Sequence, residues 1–435
     1  MESLQLVTNR MQDLRARHLM GRVTEVRGPT LMVLGFGTGV RLGDPVSLPS
    51  LNNRRGEVIG LASDAAIVLL EGGTAGISLR TPVRLEPALR FAPGNHWLGR
   101  VIDPEGRPLD GRPLLPGIGA TPLSPEPPPP HDRRAMGPRL STGFAVFDTL
   151  LPLARGQRIG LFAGSGVGKS TLLGDLARNV EADIVVIGLV GERGRELRQF
   201  VEDVLGDAGM KRSVVVTATS DTSPQLRLKC ASAAMATAEY FRNQGRQVLL
   251  LLDSVTRFAE AQREVTAARG ESTGLRGFPA STATAIANLC ERAGPGVGAS
   301  GDITAIFTVL VAGSDMEEPV ADMLRGVLDG HVVLDRKIAE RGRFPAVDLL
   351  RSTSRSLPGV ASESENALIS ETRRLLATYE RSEMMIQAGL YVSGTDKQLD
   401  RAVRLYPDLD SFLARRTNPG IRDYDVLRRL LLDQG

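Results

Sequence analysis

Residues 163–171 read Ala163-Gly164-Ser165-Gly166-Val167-Gly168-Lys169-Ser170-Thr171, glycines interleaved with small residues and closed by a lysine and two hydroxyls. A phosphate cradle requires those residue types in that order. Glycines let the backbone curl until successive amides face one anion. Lys169 then reaches the β- and γ-phosphates, and the Ser170 hydroxyl becomes a ligand for Mg2+. An apolar run, Arg158–Ala163, leads into the segment and a helical pattern leaves it. That strand–loop–helix setting separates a P-loop from a chance cluster of glycines, and the helix N-terminus adds its own attraction for the anion. One position departs from the motif: Ala163 stands where the first glycine is expected. A methyl group fits there if φ is negative.

Two carboxylates complete the chemistry. Residues 248–252 form an apolar run that ends in Asp253, the arrangement in which an aspartate orients Mg2+ through a bound water. The run Ile184–Val190 leads into Gly191-Glu192-Arg193-Gly194-Arg195-Glu196. Ligands of open α/β sheets lie at the carboxyl ends of the strands, so Glu192 is placed to polarise an attacking water, a role worth roughly 10²–10⁴ in rate. Arg193 is placed to neutralise phosphate charge. Arg195 and Glu196 read as a solvated, ion-paired helix start.

The elements that must hold these groups follow from the hydrophobic pattern. Near-continuous apolar runs at 158–163, 183–190, 213–218, 247–252 and 303–311 alternate with helical stretches such as 226–242. This predicts an α/β fold with a P-loop and a parallel sheet covered on both faces, which the family resemblance given below makes RecA-like. Before it, from Leu19 to about Pro87, short apolar runs are punctuated by Gly28-Pro29, Asn52-Asn53 and Gly72-Gly73, which predicts a small β-barrel or sandwich. Residues 121–130 (TPLSPEPPPP) cannot hold a helix or central strand and read as an extended connection. After Pro358, residues 362–387 and 397–413 carry apolar positions at helical spacing. The expected organisation is an N-terminal docking segment (1–18, with Leu4, Val7, Met11 and Leu14 at helical spacing), a β-barrel domain (19–88), the P-loop core (89–358) and a helical C-terminal domain (359–435).

Composition excludes several classes. With 53 basic and 50 acidic side chains the net charge is only +3, and with 5 Tyr and 1 Trp there is little to stack bases on; no nucleic-acid partner is expected. Two cysteines, Cys230 and Cys290, build neither a disulfide framework nor a zinc site and read as buried thiols. The histidines lack metal-ligand spacing. No apolar run reaches the ~18–20 residues of a membrane span, and the start has no signal-peptide pattern; a cytoplasmic location is the expectation.

The segments GLVGERGRE (188–196), SVVVTATSD (213–221), LLLLDSVTRFAEAQRE (249–264) and AERGRFPAVDLLRSTSR (339–355) together resemble the catalytic subunits of rotary F-type ATPases, and in particular the flagellar and type III protein-export ATPases. The resemblance runs from about residue 20 to near the end. It implies Mg2+-dependent hydrolysis of ATP in a homohexameric ring that energises flagellar protein export, with sites between subunits. It places the catalytic glutamate on Glu192 and a phosphate-contacting arginine on Arg193. An arginine finger lent to the adjacent subunit falls on Arg355, and the aromatic residue that packs on adenine on Phe344. Implied partners are a stator-like regulator, a coiled-coil stalk protein, the export gate and cargo–chaperone complexes, at the inner-membrane export gate. Residues 278–282 (FPAST) and 288–294 (NLCERAG) depart from the family pattern where it faces the ring channel, and the N-terminal segment is shorter. A non-hydrolytic ring subunit and a ring-shaped nucleic-acid motor are the alternatives; the former carries glutamine where this chain has Glu192.

Overall fold

The computed structural model describes residues 18–88, 90–274, 277–311, 316–417 and 422–432. The expected docking segment, apart from His18, lies outside them.

Six antiparallel strands, β1 (Met20–Arg27), β2 (Thr30–Leu34), β3 (Pro45–Leu48), β4 (Arg54–Leu61), β5 (Ala65–Leu70) and β6 (Pro82–Leu85), close into a barrel in the order β1-β2-β5-β4-β3-β6. Closure leaves no free edge. Alternate side chains point inward, so Val23, Leu31, Val33, Val46, Leu48, Val58, Val68 and Val83 fill the interior at 1% exposure or less. Asn52 and Asn53 turn the chain between β3 and β4 with φ of 52° and 54°. Asparagine tolerates that left-handed region better than most residues.

The core is an eight-stranded sheet, ordered β14-β13-β8-β12-β11-β9-β10-β7. Its strands are β7 (Arg100–Ile102), β8 (Arg158–Ala163), β9 (Ile184–Glu192), β10 (Ser213–Thr219), β11 (Val248–Asp253), β12 (Ile303–Leu310), β13 (Gly330–Leu334) and β14 (Val347–Ser354). All neighbours run parallel except β13 and β14. Along β9, Val185, Ile187 and Leu189 pack into one core while Ile184, Val186 and Val190 pack into the other. Both faces are therefore covered, which is why the strand reads as an unbroken apolar run. Three strands lie outside the apolar runs read from the sequence: β7 spans three residues, β13 opens with glycine and histidine, and β14 (VDLLRSTS) has polar alternate positions.

The proline-dense stretch at 121–130 has no regular structure until a single helical turn begins at Pro130. Arginines reach out to tie it down: Arg292 Nη1 donates to the Leu123 carbonyl at 2.7 Å, and Arg133 Nε to that of Pro128 at 3.1 Å. Helices Glu363–Gln387, Lys397–Ala414 and Asp423–Leu432 follow the sheet. Ser362 and Glu365 form a capping box that fixes where the first begins, and Leu375, Leu405, Leu409 and Leu427 join the core beneath the sheet. Cys230 and Cys290 are free and fully buried.

Candidate functional site

The P-loop leaves the end of β8 and closes onto helix Lys169–Asn179. Gly166 and Gly168 take φ of +77° and +84°, which a side chain would resist; Ala163 is outside the left-handed region. Ala163 is also fully buried and its carbonyl accepts from the Val311 amide at 3.1 Å. The methyl group at the motif's first position therefore costs nothing in backbone strain. Ser165, Gly166, Ser170 and Thr171 are exposed at the mouth, and Val167 anchors the loop in the core.

Across the sheet, β11 ends at Asp253 and β9 at Glu192, so the two carboxylates stand at the same sheet end as the P-loop. Lys169 Nζ meets Asp253 Oδ1 at 2.5 Å and lies 4.0 Å from Glu192 Oε1. Thr308, on β12 between β8 and β11, donates its hydroxyl to the same Asp253 oxygen at 2.6 Å. Asp253 is only 4% exposed, and Lys169 and Thr308 supply the polar partners that a carboxylate so buried requires.

Glu192 differs. Burial, a hydrogen bond with Glu196 and the nearby Asp253 charge push its carboxyl up to about 7, against the pull of Lys169. Glu196 moves the other way, held below the ordinary carboxylate value first by that hydrogen bond and then by Arg193. Of the two facing carboxyls, Glu196 is the one held down and Glu192 the one pushed up. Such a group changes charge near neutral pH, as a general base must.

Arg193 does not join Lys169. It is mostly exposed and pairs with Glu196 Oε1 at 2.9 Å. Phe344 is half-exposed, with its ring over the loop: a Cβ on Gly168 would stand 3.1 Å from Phe344 Cδ1. Arg355 lies elsewhere. Leu334 of β13 pairs with Ala163, at the P-loop end of β8, whereas Gly330 pairs with Ser354, and the Arg355 amide bonds the Asp329 carbonyl. Arg355 is thus at the opposite end of β13, ~13 Å along the strand at 3.3 Å per residue. It is exposed and, among the described residues, its side chain donates to the Arg325 carbonyl at 3.4 Å.

Three neighbours escaped the reading of the sequence. Glu196, which reads from the sequence as a solvated ion-pair former, pairs with Arg193 and is among the groups that raise the Glu192 carboxyl. Thr308 carried no motif signal. Arg257, one turn into the helix after Asp253, lies against Gly191, bonds Glu260 Oε2 at 2.8 Å and feels the charges of Glu192 and Glu196. Its place in the DSVTRFA string, one helical turn past Asp253, was the available clue.

Among the described residues no group of three His, Cys, Asp or Glu side chains could cage a metal. The available donors are the Ser170 hydroxyl and the Asp253 carboxylate. Such a sparse, hard oxygen set fits Mg2+ that arrives with a triphosphate and keeps several waters.

Comparison with known proteins agrees with this geometry. Residues 143–354 match the ATP synthase alpha/beta family, nucleotide-binding domain, and residues 361–430 the T3SS EscN ATPase C-terminal domain. The chain is 42% identical over 406 residues to a flagellum-specific ATP synthase of Caulobacter vibrioides, covering 91% of each. It is 44% identical over 370 residues to a type 3 secretion system ATPase of Sinorhizobium fredii, covering 85% of this chain and 81% of that one. Among solved structures, the assembled ATPase EscN from the enteropathogenic E. coli type III secretion system superposes with a TM-score of 0.85 at 35% identity, over 95% of this chain and 99% of that one. EscN in complex with its central stalk EscO gives 0.82 at 36% identity, with the same coverage.

Proposed function

The chain belongs to the family of flagellum-specific ATP synthases and type 3 secretion ATPases, and on that premise we propose that it hydrolyses Mg2+-bound ATP in a homohexameric ring and so energises flagellar, type III-type protein export. The observation that carries this reading is the meeting of Lys169, Asp253 and Glu192 at one sheet end, with Phe344 over the P-loop.

In this reading residues 163–171 wrap the phosphates, and Lys169 exchanges its Asp253 partner for the β- and γ-oxygens. Asp253, released, would orient the waters around Mg2+, and the Ser170 hydroxyl would hold the ion. The metal supplies charge neutralisation at the transferred phosphoryl group. Glu192, once ionised, draws the proton from the attacking water, and its neighbour Glu196 is placed to exchange that proton with solvent. Phe344 packs against the adenine. Arg193 is exposed enough to swing toward phosphate from its contact with Glu196.

Arg355 cannot serve its own P-loop from the far end of β13. A ring resolves this, because an adjacent subunit brings that end against its neighbour's nucleotide. The assembled state of EscN supports a ring, and its complex with EscO supports a stalk partner here. A stator-like regulator, an export gate, cargo–chaperone complexes and a peripheral position at the inner membrane complete the proposal. No described helix is long and apolar enough to cross a membrane.

Phosphate release by purified chain tests the reading. Wild type should turn over ATP with Mg2+ and stop in excess chelator, and Lys169→Ala should do neither binding nor turnover while keeping its fold. Wild-type turnover by Lys169→Ala would end the assignment.

A further inference from the structure

The loop that carries Phe344 is held from behind. Arg341 Nη1 donates to the Tyr406 hydroxyl at 3.1 Å and to Glu383 Oε1 at 3.4 Å. Arg343 Nε stands 3.0 Å from Asp410 Oδ1, and its Nη2 donates to the Val347 carbonyl at 2.9 Å. Glu383 belongs to helix Glu363–Gln387, and Tyr406 and Asp410 to helix Lys397–Ala414. Tyr406 in turn stacks on Tyr379 with centroids 3.6 Å apart, locking the two helices together at this height. Alternate residues of one short loop therefore grip both C-terminal helices, while the residue after Arg343 faces Gly168.

Arg343 is the strained member electrostatically. Its side chain is 7% exposed, neither its Nε nor its Nη1 makes a hydrogen bond among the described residues, so Asp410 holds it as an ion pair, and burial pulls its pKa down. Asp410 is the main countercharge of this guanidinium, with a smaller contribution from Asp348. Removing Asp410 leaves a buried charge poorly compensated, which a shift of the loop toward water relieves. Phe344, covalently next, shifts with it.

We propose that Arg343, through Asp410, is a positioning residue that holds Phe344 over the P-loop and makes affinity for the nucleobase depend on the packing of the C-terminal helices. The inference rests on the reading that a base packs on Phe344. Phosphate affinity does not pass through this strap, because the P-loop is set by β8 and by helix Lys169–Asn179. A disturbance of the C-terminal helices is thereby felt at the base and not at the phosphates.

The test is equilibrium binding of ADP and of pyrophosphate, each with Mg2+, to the full chain. Asp410→Asn should weaken ADP about tenfold, the magnitude of one well-placed aromatic contact, and leave pyrophosphate unchanged. The double variant Arg343→Met/Asp410→Leu removes the buried charge and refills the joint, and should recover most of the ADP affinity. Arg341→Met, at a half-exposed position that leaves the fold intact, should weaken ADP in the same direction by a smaller factor. Equal loss for both ligands, or no loss for either, overturns the proposal. Phe344→Ala separates the premise: an unchanged ratio of ADP to pyrophosphate affinity in that variant would refute base packing itself, whatever Asp410→Asn does.

Discussion

Lys169 and Asp253, 84 positions apart, meet at 2.5 Å where β11 ends beside the P-loop. In the proposed function Lys169 binds phosphate and Asp253 orients the metal's waters, and here the two hold each other. On that reading the pair compensates both charges until a triphosphate and its ion arrive together and give each a new partner. Asp253→Asn keeps the shape and the Thr308 contact but strips Lys169 of its counter-charge. It should lower the melting temperature of the nucleotide-free chain, with a cost of about 1–3 kcal/mol, and raise the Mg2+ concentration needed for half-maximal turnover. Calorimetry and a Mg2+ titration read the two effects; an unchanged Mg2+ requirement would take Asp253 out of the metal's shell.

Glu192→Gln should bind ATP and fail to turn it over, because the amide preserves shape but takes no proton. The loss should be roughly 10²–10⁴, read as phosphate release against retained ATP binding. A loss below about tenfold would move the base elsewhere.

The raised carboxyl of Glu192, at about 7, predicts an acid limb in kcat/KM. The base works ionised, so activity rises with pH through that value and is lost as pH falls below it. The Glu196 hydrogen bond is among the causes that raise it, so Glu196→Gln should shift the limb to lower pH. A pH–rate profile that is flat between pH 6 and 8, on the roughly neutral range where such a base titrates, would contradict the assignment.

The P-loop separates two kinds of glycine position. Ala163→Gly should leave turnover intact and cost about 0.5–1 kcal/mol of stability, since Ala163 needs no glycine freedom and fills a buried strand end. Gly168→Ala should cost ~1–2 kcal/mol from its left-handed backbone and weaken nucleotide binding, because the added methyl would crowd Phe344. Thermal melts and ADP titrations of the two variants distinguish them.

What the sequence made legible was local. The P-loop announces itself because its glycines and lysine are adjacent, and β8, β9 and β11 because burial on both faces forces apolar runs. β13 escaped because its apolar run is only Val332–Leu334 after Gly330 and His331, and β14 because an edge strand covered on one side alternates polar with apolar residues. Glu196 escaped because a carboxylate beside two arginines reads as solvated until the fold brings it next to Glu192. The grip of Arg343 on Asp410 links residues 67 positions apart through a helical domain, and one sequence holds no sign of which of many acids faces which arginine. Arg355 and Phe344 were reachable only through family resemblance; the chain by itself sets one over the P-loop and the other at the far end of a strand.

The separation of Arg355 from its own P-loop opens catalysis between subunits to direct measurement. Arg355→Ala keeps its P-loop and Lys169→Ala keeps its arginine, so mixed rings contain interfaces with both. Neither variant alone should hydrolyse ATP appreciably, since an arginine finger is worth roughly 10³–10⁵ in turnover against ~0–1 kcal/mol for a surface ion pair. Mixing them should restore phosphate release in proportion to the mixed interfaces formed. Mixed rings, verified by crosslinking or mass measurement, that remain inactive would contradict the account, as would an Arg355→Ala chain that turns over at the wild-type rate.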